Sequence, residues 1–234
     1  MKTSQSSSAN AALRRVRVWD LPTRIFHWVL AVTIVGSIVS ANVGGNAMVW
    51  HMRLGYVVAT LLVFRFLWGF VGGYWSRFAR FFPTPSRLVR YLRGAPHIDD
   101  HFEVGHSPIG ALSVFAMLTL LGVQVATGLV ADDEIATTGP LVQYVNSKTS
   151  LLATGWHKSW GQGLIISLIV LHVGAIAFYR YRLGHHLVPS MLAGDKHLPV
   201  QVPESADSPA TRIFAAVLIA ACAAAVAWVI SLGG

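Results

Sequence analysis

The chain has 234 residues, of which 54% are hydrophobic and only 12% are charged. That is too little polar surface to cover a soluble globule of this size, so a soluble fold is excluded. The formal net charge of +8 would suit a nucleic-acid-binding protein, but the basic residues are sorted by loop and form no patch interleaved with aromatics. Nucleic acid is therefore excluded as a partner, and a lipid bilayer is the expected surroundings.

The N-terminal segment, residues 1–16, begins with a run rich in Ser and Ala, and we expect it to be disordered. A basic stretch followed by an apolar run is also typical of a signal peptide. This apolar run is longer than the 7–15 residues usual for one, so we interpret it as a retained helix.

Five apolar runs follow, each close to the ~20 residues that a helix needs to cross a membrane. They predict an all-α integral membrane protein with spans at 24–42, 50–73, 108–130, 157–179 and 211–232. We expect residues 17–192 to form a four-helix transmembrane domain, 193–210 a linker and 211–232 a fifth transmembrane helix. The fifth run is rich in Ala and contains no His, so it packs either on the bundle or on another subunit.

The loops differ in basic charge, which predicts the orientation. Arginines precede the first span and follow the second and fourth spans, whereas residues 43–49 contain no Lys or Arg and 131–156 contain only Lys148. The positive-inside rule therefore places the N-terminus in the cytoplasm and the C-terminus outside. The basic 74–107 segment predicts a short helix on the inner surface, resting on anionic lipid headgroups, and 131–156 predicts an outer docking surface.

Four histidines lie within the spans, where an ionisable side chain is costly and usually functional. His27 lies near the inner end of the first span, and His51 opens the second span from the outside. His157 and His172 both lie in the fourth span, roughly 22 Å apart along the helix axis and about 60° apart around it. The fourth span thus offers one imidazole at each side of the membrane.

The predicted topology pairs these histidines at two depths, His51 with His157 outside and His27 with His172 inside. Two neutral imidazoles facing each other across a bundle core are what a six-coordinate b-type haem needs. Zinc fits less well, because it takes about four ligands at one point, usually with Cys or carboxylate among them. The single cysteine, Cys222, excludes c-type haem attachment within this chain. The sequence therefore predicts two b haems with these four histidines as iron ligands.

Arg65 is a further charged residue within a span. It lies fourteen residues after His51 and about 40° from it around the helix, on the same interior face. We predict that it pairs with a propionate of the inner haem; the alternative is that its side chain snorkels to the inner headgroups. Gly55 and Gly161 lie one turn from the outer histidines and would let the flat porphyrin approach the backbone.

Several motifs together resemble one family. They are WDLPTRIFHW at 19–28, RFLWGFVG at 65–72, GHSPIGALS at 105–113, and the two histidines of the fourth span followed by FYRYR. This set covers about residues 17–192. It resembles the bacterial cytochrome b561 and nickel-iron hydrogenase b-type cytochrome family, to which the membrane subunit of formate dehydrogenase is also related.

The resemblance implies a four-helix bundle that holds two b haems through the same four histidines in the same pairs. Related proteins commonly separate the two ligands of the fourth span by fourteen residues, whereas this chain has fifteen. The resemblance also implies electron exchange with a quinone, ubiquinone or menaquinone, near the inner haem. By position, the quinone headgroup would meet His106, Ser107 or Arg24. The alternative for His106 is a helix-start residue beside Pro108.

These expectations describe an electron-transfer subunit of an oxidoreductase in the bacterial inner membrane. Its partner would be quinone on one side and a periplasmic cytochrome c, hydrogenase or dehydrogenase on the other. Some relatives act without a partner, as superoxide:quinone oxidoreductases, and for that anion Lys148 and Lys158 count in favour and the acidic run 132–134 against. A haem-free, His-lined ion carrier is a hypothesis of another class, and it would favour acidic residues in the span cores, where this sequence has none. The direction of electron flow and a homo-oligomeric state are left open.

Overall fold

The computed structural model describes residues 13–97, 100–199 and 201–233. In that part of the chain, two strands, β1 (Arg14–Arg17) and β2 (Asp195–Leu198), pair antiparallel. The α-helices of the same part are α1 (Leu21–Val43), α2 (Met48–Val71), α3 (Phe78–Phe81), α4 (Pro85–Leu92), α5 (Pro108–Leu129), α6 (Ser147–Gly155), α7 (Gln162–Arg182), α8 (Leu187–Ala193) and α9 (Pro209–Ser231).

Five helical segments are long and apolar enough to cross a membrane, which confirms the predicted all-α, multi-pass membrane fold. Three of them, α1, α5 and α9, begin at a polar cap followed by Pro. The cap residues are Asp20, Ser107 and Ser208, and each side chain accepts a first-turn backbone N–H. Pro is tolerated in the first turn because its missing N–H would have no helical partner there.

The fourth span begins earlier than predicted. One continuous helical segment runs through residues 147–182, in which a π-helical turn, Trp156–Gly161, joins α6 to α7. Asn146 starts this segment by accepting the Thr149 N–H at 2.9 Å. Residues 147–155 mix polar and apolar side chains, so hydropathy did not reveal them as helix. At about 1.5 Å per residue the segment exceeds the ~30 Å hydrocarbon core, so it extends beyond the core.

The bundle core is built around α2. That helix packs along α1 and against α5, and α5 packs against α7 and the π-helical turn. The fifth helix, α9, also packs on α2 and α1, where Ala215 and Cys222 are buried beside Trp68 and Phe26. Of the two predicted arrangements for this helix, the structure shows packing on the bundle.

A tight turn at Gly44 and Gly45 reverses the chain between α1 and α2, and both glycines have positive φ angles, 69° and 54°. The helices therefore run antiparallel, and β1, α3, α4, α8 and β2 lie at one end of the bundle together with the arginine-rich segments. We call this the inner end, following the predicted orientation, and the opposite end the outer end. The helix predicted within 74–107 is present as α4.

The inner end carries a small packed unit that the sequence did not predict. We call it the inner cap and define it as residues 14–19, 74–76, 101–106, 195–199 and 201–205. Its buried apolar side chains form one cluster; they are Val16, Val18, Trp19, Trp75, Val104 and Leu198. Arg17 of β1 pairs with Asp195 of β2 at 2.8 Å and with Asp207 at 3.2 Å.

The inner cap corrects two predicted boundaries. Residues 14–16, expected to be disordered, belong to β1, and the expected linker 193–210 contains β2. The strands form because each supplies backbone hydrogen bonds to the other across about 180 residues of sequence, and local composition does not show such a pairing. Residues 1–12 of the segment predicted to be disordered lie outside the described residues.

Candidate cofactor site: two histidine pairs

The structure brings the four histidines of the spans together in two pairs. The ring centroids of His51 and His157 lie 5.8 Å apart, and those of His27 and His172 lie 6.3 Å apart. We call these the outer pair and the inner pair. Within residues 13–97, 100–199 and 201–233, no three His, Cys, Asp or Glu side chains are grouped to hold a metal ion.

Both rings of the outer pair are held by backbone carbonyls. His51 Nδ1 lies 2.9 Å from the Ser37 carbonyl of α1, and His157 Nδ1 lies 2.9 Å from the Gln124 carbonyl of α5. A carbonyl only accepts hydrogen bonds, so each Nδ1 carries the proton and each Nε2 keeps a free lone pair. Metal-ligating histidines have this arrangement, in which the second nitrogen is bound to an acceptor that orients the ring.

A cavity of about 370 Å³ adjoins the outer pair. Its volume falls within the ~300–1,000 Å³ of small-molecule and cofactor sites. Its walls come from α1, α2, α5 and α7, and Gly55 and Gly128 are among the lining residues. A Cβ atom at Gly55 would meet no described atom within 4 Å, so the predicted open space beside His51 is present.

Gly161 does not serve the role predicted for it. A Cβ atom there would press against the Gln124 side chain, so this glycine makes room for an amide and not for the cavity. The glycine that makes room for an outer ring is instead Gly128, where a Cβ atom would lie 2.8 Å from His157 Cε1.

His157 is the second residue of the π-helical turn Trp156–Gly161, so most of this turn lies between His157 and His172. A π turn takes about one residue more than an α turn. Fifteen residues across this segment therefore rotate like about fourteen in a regular helix, which leaves the two histidines about 40° apart instead of the predicted 60°. The additional residue noted in the sequence is thus absorbed in the turn that carries the outer histidine.

At the inner end, the bundle contains one buried cationic side chain among the described residues, Arg65, which lies near His106. Arg65 is only 3% exposed and its Nη2 atom donates to the Ser76 carbonyl at 3.1 Å. Its guanidinium lies over the Phe78 ring at 4.7 Å. This buried position excludes snorkelling to the headgroups, the alternative considered for Arg65. Arg65 Nη1 and His27 Nδ1 are buried, and within the described part of the chain neither has a hydrogen-bond partner.

His106 lies beside the inner pair, between the rings of Trp19 and Phe81, with centroids at 4.8 and 4.5 Å. Burial lowers the pKa of His106 to about 3, and the nearby Arg65 adds to the effect, so the ring is neutral at neutral pH. Its Nδ1 atom is buried and finds no partner among the described residues. His106 is therefore a helix-start residue, as in the alternative interpretation, that also has a free polar atom near the inner pair.

The other two predicted quinone-site residues have structural partners. Ser107 Oγ caps α5 by accepting the Gly110 N–H at 3.2 Å. Arg24 Nη1 donates to the Leu192 carbonyl, and its guanidinium lies 4.0 Å from Asp207. Arg24 is thus turned toward α8 and Asp207.

Sequence reasoning missed two residues of this site, Gln124 and Asp20. Gln124 contacts the outer pair, and a polar amide inside the third span was a usable signal, since buried polar groups in a membrane are rare. Asp20 is fully buried and accepts hydrogen bonds from the Thr23 N–H, Trp68 Nε1 and the Ser76 hydroxyl. It also acts electrostatically on Arg65. The Asp20 position before an apolar run indicated a helix cap, but not a charge near Arg65.

The family of the chain follows from its similarity to known sequences. Residues 18–194 match the sequence model of the family described as prokaryotic cytochrome b561. The chain belongs to this family. It is therefore a multi-pass membrane b-type cytochrome that transfers electrons, as predicted, and the match ends at residue 194, before α9.

Two curated relatives are similar to this cytochrome over different lengths. A probable Ni/Fe-hydrogenase B-type cytochrome subunit of Bradyrhizobium diazoefficiens is 21% identical over 220 residues, which cover 77% of this chain and 85% of the relative. A probable Ni/Fe-hydrogenase B-type cytochrome subunit of Azotobacter chroococcum mcd 1 is 27% identical over 130 residues, which cover 45% of this chain and 54% of the relative. No solved structure gives a significant match.

Proposed function

We propose that this cytochrome binds two b haems, one between the inner pair and one between the outer pair, and carries electrons across the membrane between them. The observation that carries the proposal is the separation of the paired rings, 6.3 and 5.8 Å between centroids. A metal–imidazole nitrogen bond is about 2 Å, so one ion bonded to two opposed rings places their centroids about 6 Å apart. Both pairs match this separation.

The outer pair also has the correct tautomer and space. His51 and His157 present Nε2 lone pairs toward a cavity of about 370 Å³, with each Nδ1–H bound to a carbonyl. These two imidazoles would hold the haem iron. Bound haem supplies the one-electron chemistry, and the protein supplies position and electrostatics.

The inner pair fits the same group through its charges. A b haem carries two propionates, and Arg65 Nη1 is a buried donor with no partner in the described residues. A buried guanidinium with a free donor favours a carboxylate ligand. Arg65 would hold a propionate of the inner haem, while His27 and His172 hold the iron. On this proposal the haem-binding domain comprises residues 17–192, and α9 packs against the α1 and α2 helices of that domain.

We place quinone exchange at the inner end. The free Nδ1 of the neutral His106 would bond a quinone oxygen there, and Arg24 and Ser107 lie at the inner ends of neighbouring helices. Ubiquinone and menaquinone both fit this chemistry, because both present carbonyl oxygens to hydrogen-bond donors. The arginine-rich inner end supports an orientation with that end in the cytoplasm of a bacterial inner membrane.

A hydrogenase is the favoured partner at the outer end. Both curated relatives are named as Ni/Fe-hydrogenase cytochrome subunits. The loop at the outer end contains Asp133, whose Oδ1 atom accepts backbone N–H groups from Thr137, Ala136 and Ile135; these bonds lower the pKa of Asp133 to about 2. Lys158 lines the same cavity as Asp133, so the two opposite charges offset each other and give an anionic substrate such as superoxide no net attraction.

The proposal is tested with the purified protein in lipid vesicles. A short-chain ubiquinol and, separately, a short-chain menaquinol are added while the haem α band is recorded. We expect at least one of them to reduce the haems within seconds. His106→Phe should retain both haems and slow this reduction at least tenfold, whereas His197→Phe, on the exposed side of β2, should leave it unchanged.

Two results would overturn parts of the proposal. If neither quinol reduces the haems, the proposal of quinone exchange is wrong. A His106→Phe variant as fast as His197→Phe would remove His106 from the quinone site while leaving the haem assignment in place.

A further inference from the structure

We propose that Gln124, Gly161 and the π-helical turn form a latch that positions His157. Here the latch means the Gln124 side chain, the glycine that admits it and the turn Trp156–Gly161. The proposal rests on the proposed function, in which His157 ligates the outer haem. It assigns Gln124 as a positioning residue, since it acts on the ligand and not on the haem.

Gln124 and His157 are joined by two reciprocal hydrogen bonds. His157 Nδ1 donates to the Gln124 carbonyl at 2.9 Å, and Gln124 Nε2 donates to the His157 carbonyl at 2.8 Å. One bond holds the ring and the other holds the backbone of the same residue. The carbonyl that Gln124 bonds belongs to the π-helical turn, in which backbone hydrogen bonds run five residues along the chain instead of four. Gln124 thus holds the His157 ring through its backbone carbonyl and the His157 backbone through its side-chain amide.

Gly161 is what admits the amide. A Cβ atom at this position would lie well inside van der Waals distance of Gln124 Oε1 and 3.0 Å from Trp156 Nε1. These two atoms are an acceptor and a donor. Both are buried, and neither has a hydrogen-bond partner within the described ranges. Any side chain at position 161 would therefore displace the Gln124 amide from the turn.

The neighbouring glycines show that this need for a small residue is local. Gly163 lies two residues further along the same helix, and a Cβ atom there would meet no described atom within 4 Å. Gly155, just before the turn, is equally open. Replacement of Gly161 by Ala therefore has a large steric effect, whereas replacement of Gly163 by Ala has none. Both substitutions are Gly to Ala, so the change in intrinsic helix propensity is the same.

The latch predicts a coupling between positions 124 and 161. Gly161→Ala acts mainly by pushing the Gln124 amide away, because its other contact, 3.0 Å from the added Cβ to Trp156 Nε1, is far less severe. In a background of Gln124→Ala, the added methyl group at 161 should therefore have little further effect. A simple loss of stability would instead add to the loss caused by Gln124→Ala, because independent effects are additive.

The experiment uses the full-length protein with its haems and four variants: Gly161→Ala, Gln124→Ala, the double variant, and Gly163→Ala as the control. The readouts are the haem content per chain, the low-spin electron paramagnetic resonance signal of the oxidised outer haem, and its midpoint potential. We expect Gly161→Ala to shift the outer signal and potential and to lower outer haem content at least twofold. The inner haem should be unchanged, Gly163→Ala should match the wild type, and the double variant should match Gln124→Ala alone.

The latch is overturned if Gly161→Ala and Gly163→Ala give the same outer signal and potential. It is also overturned if the effects of Gly161→Ala and Gln124→Ala add in the double variant. If the proposed function is wrong because His157 does not ligate the outer haem, the variant His157→Ala would retain that haem. A protein that loses the outer haem in His157→Ala but not in Gly161→Ala contradicts the latch alone.

Discussion

The outer pair and the inner pair each consist of two histidines, but the polar and charged groups around the two pairs differ. Around the outer pair, both Nδ1–H groups donate to backbone carbonyls, and the cavity wall is mainly apolar. On the inner side, the buried guanidinium of Arg65 lies near His106, and His27 Nδ1 has no acceptor among the described residues. The two sites have the same ligands, so differences in their properties come from the groups that surround those ligands.

This difference predicts the order of the two potentials. A carbonyl that accepts a hydrogen bond from a ligating imidazole makes the ring a stronger donor, which stabilises the oxidised iron. A buried cation such as Arg65 stabilises the reduced iron, which carries one positive charge less, more than the exposed Lys158 at the outer cavity does, because solvent screens an exposed charge. The outer haem should therefore have the lower midpoint potential and the inner haem the higher one. Electrons supplied at the outer end would run downhill toward the inner end.

The largest expected effect is the loss of one haem at a time. His51→Ala should remove the low-potential haem and His27→Ala the high-potential haem, because each pair needs both of its rings. Haem content per chain and a potentiometric titration of the α band measure this. His197→Ala, on the exposed side of β2, should keep both components. If both ligand variants lose the same component, the assignment of potentials to pairs is wrong.

A smaller steric change should affect only the outer pair. Gly128→Ala places a Cβ atom 2.8 Å from His157 Cε1, and overpacking of this kind costs about 1–3 kcal/mol. We expect outer haem affinity to fall about tenfold, measured by haem titration of the apoprotein. Gly122→Ala on the same helix, where a Cβ atom meets no described atom within 4 Å, is the matched control. A loss that falls on the inner haem would contradict the geometry.

Removing the inner cation should shift one potential without removing a haem. A unit charge about 10–15 Å away in a medium of effective dielectric about 20 contributes about 1–2 kcal/mol, or tens of millivolts for one electron. Arg65→Leu should lower the inner midpoint potential by that amount, and Arg65→Lys, which keeps the charge, should lower it less. An unchanged inner potential in Arg65→Leu would show that Arg65 does not act on the inner haem.

The smallest expected effect has the opposite sign. Asp20 is the buried carboxylate that acts on Arg65, so Asp20→Asn should raise the inner potential. The shift should be smaller, because three donors already bind this carboxylate. Asn still caps α1 but satisfies fewer donors, so the free energy of unfolding should fall by about 1–2 kcal/mol. A downward potential shift, recorded in the same titration as Arg65→Leu, would contradict this electrostatic account.

The sequence was sufficient for the features that depend on local pattern. Apolar runs revealed the five spans, and counting residues around a helix placed His157 and His172 on one face, where the structure has them. The pairing with His51 and His27 needed only the topology. Arg65 was also placed correctly on the interior face, although its burial beside Ser76 was not predictable from the pattern.

The features that the sequence did not reveal depend on contacts between distant segments. Pairing of β1 with β2 joins residues about 180 positions apart, and the inner cap forms only once that pairing exists. The π-helical turn has no periodicity of its own, so a regular helix was assumed and the angle between His157 and His172 was overestimated. Gly161 was assigned to the porphyrin because it lies one turn from His157, and only the position of Gln124 shows its actual neighbour.

The most direct test of the account is the haem content of the purified wild type and of a variant with His157→Ala and His172→Ala together. Both substitutions lie on the one helical segment that supplies a ligand to each pair. The account predicts two b haems per chain in the wild type and none in the double variant, from the reduced-minus-oxidised spectrum. A wild type with fewer than two haems, or a double variant that retains one, would contradict the assignment of one haem to each pair.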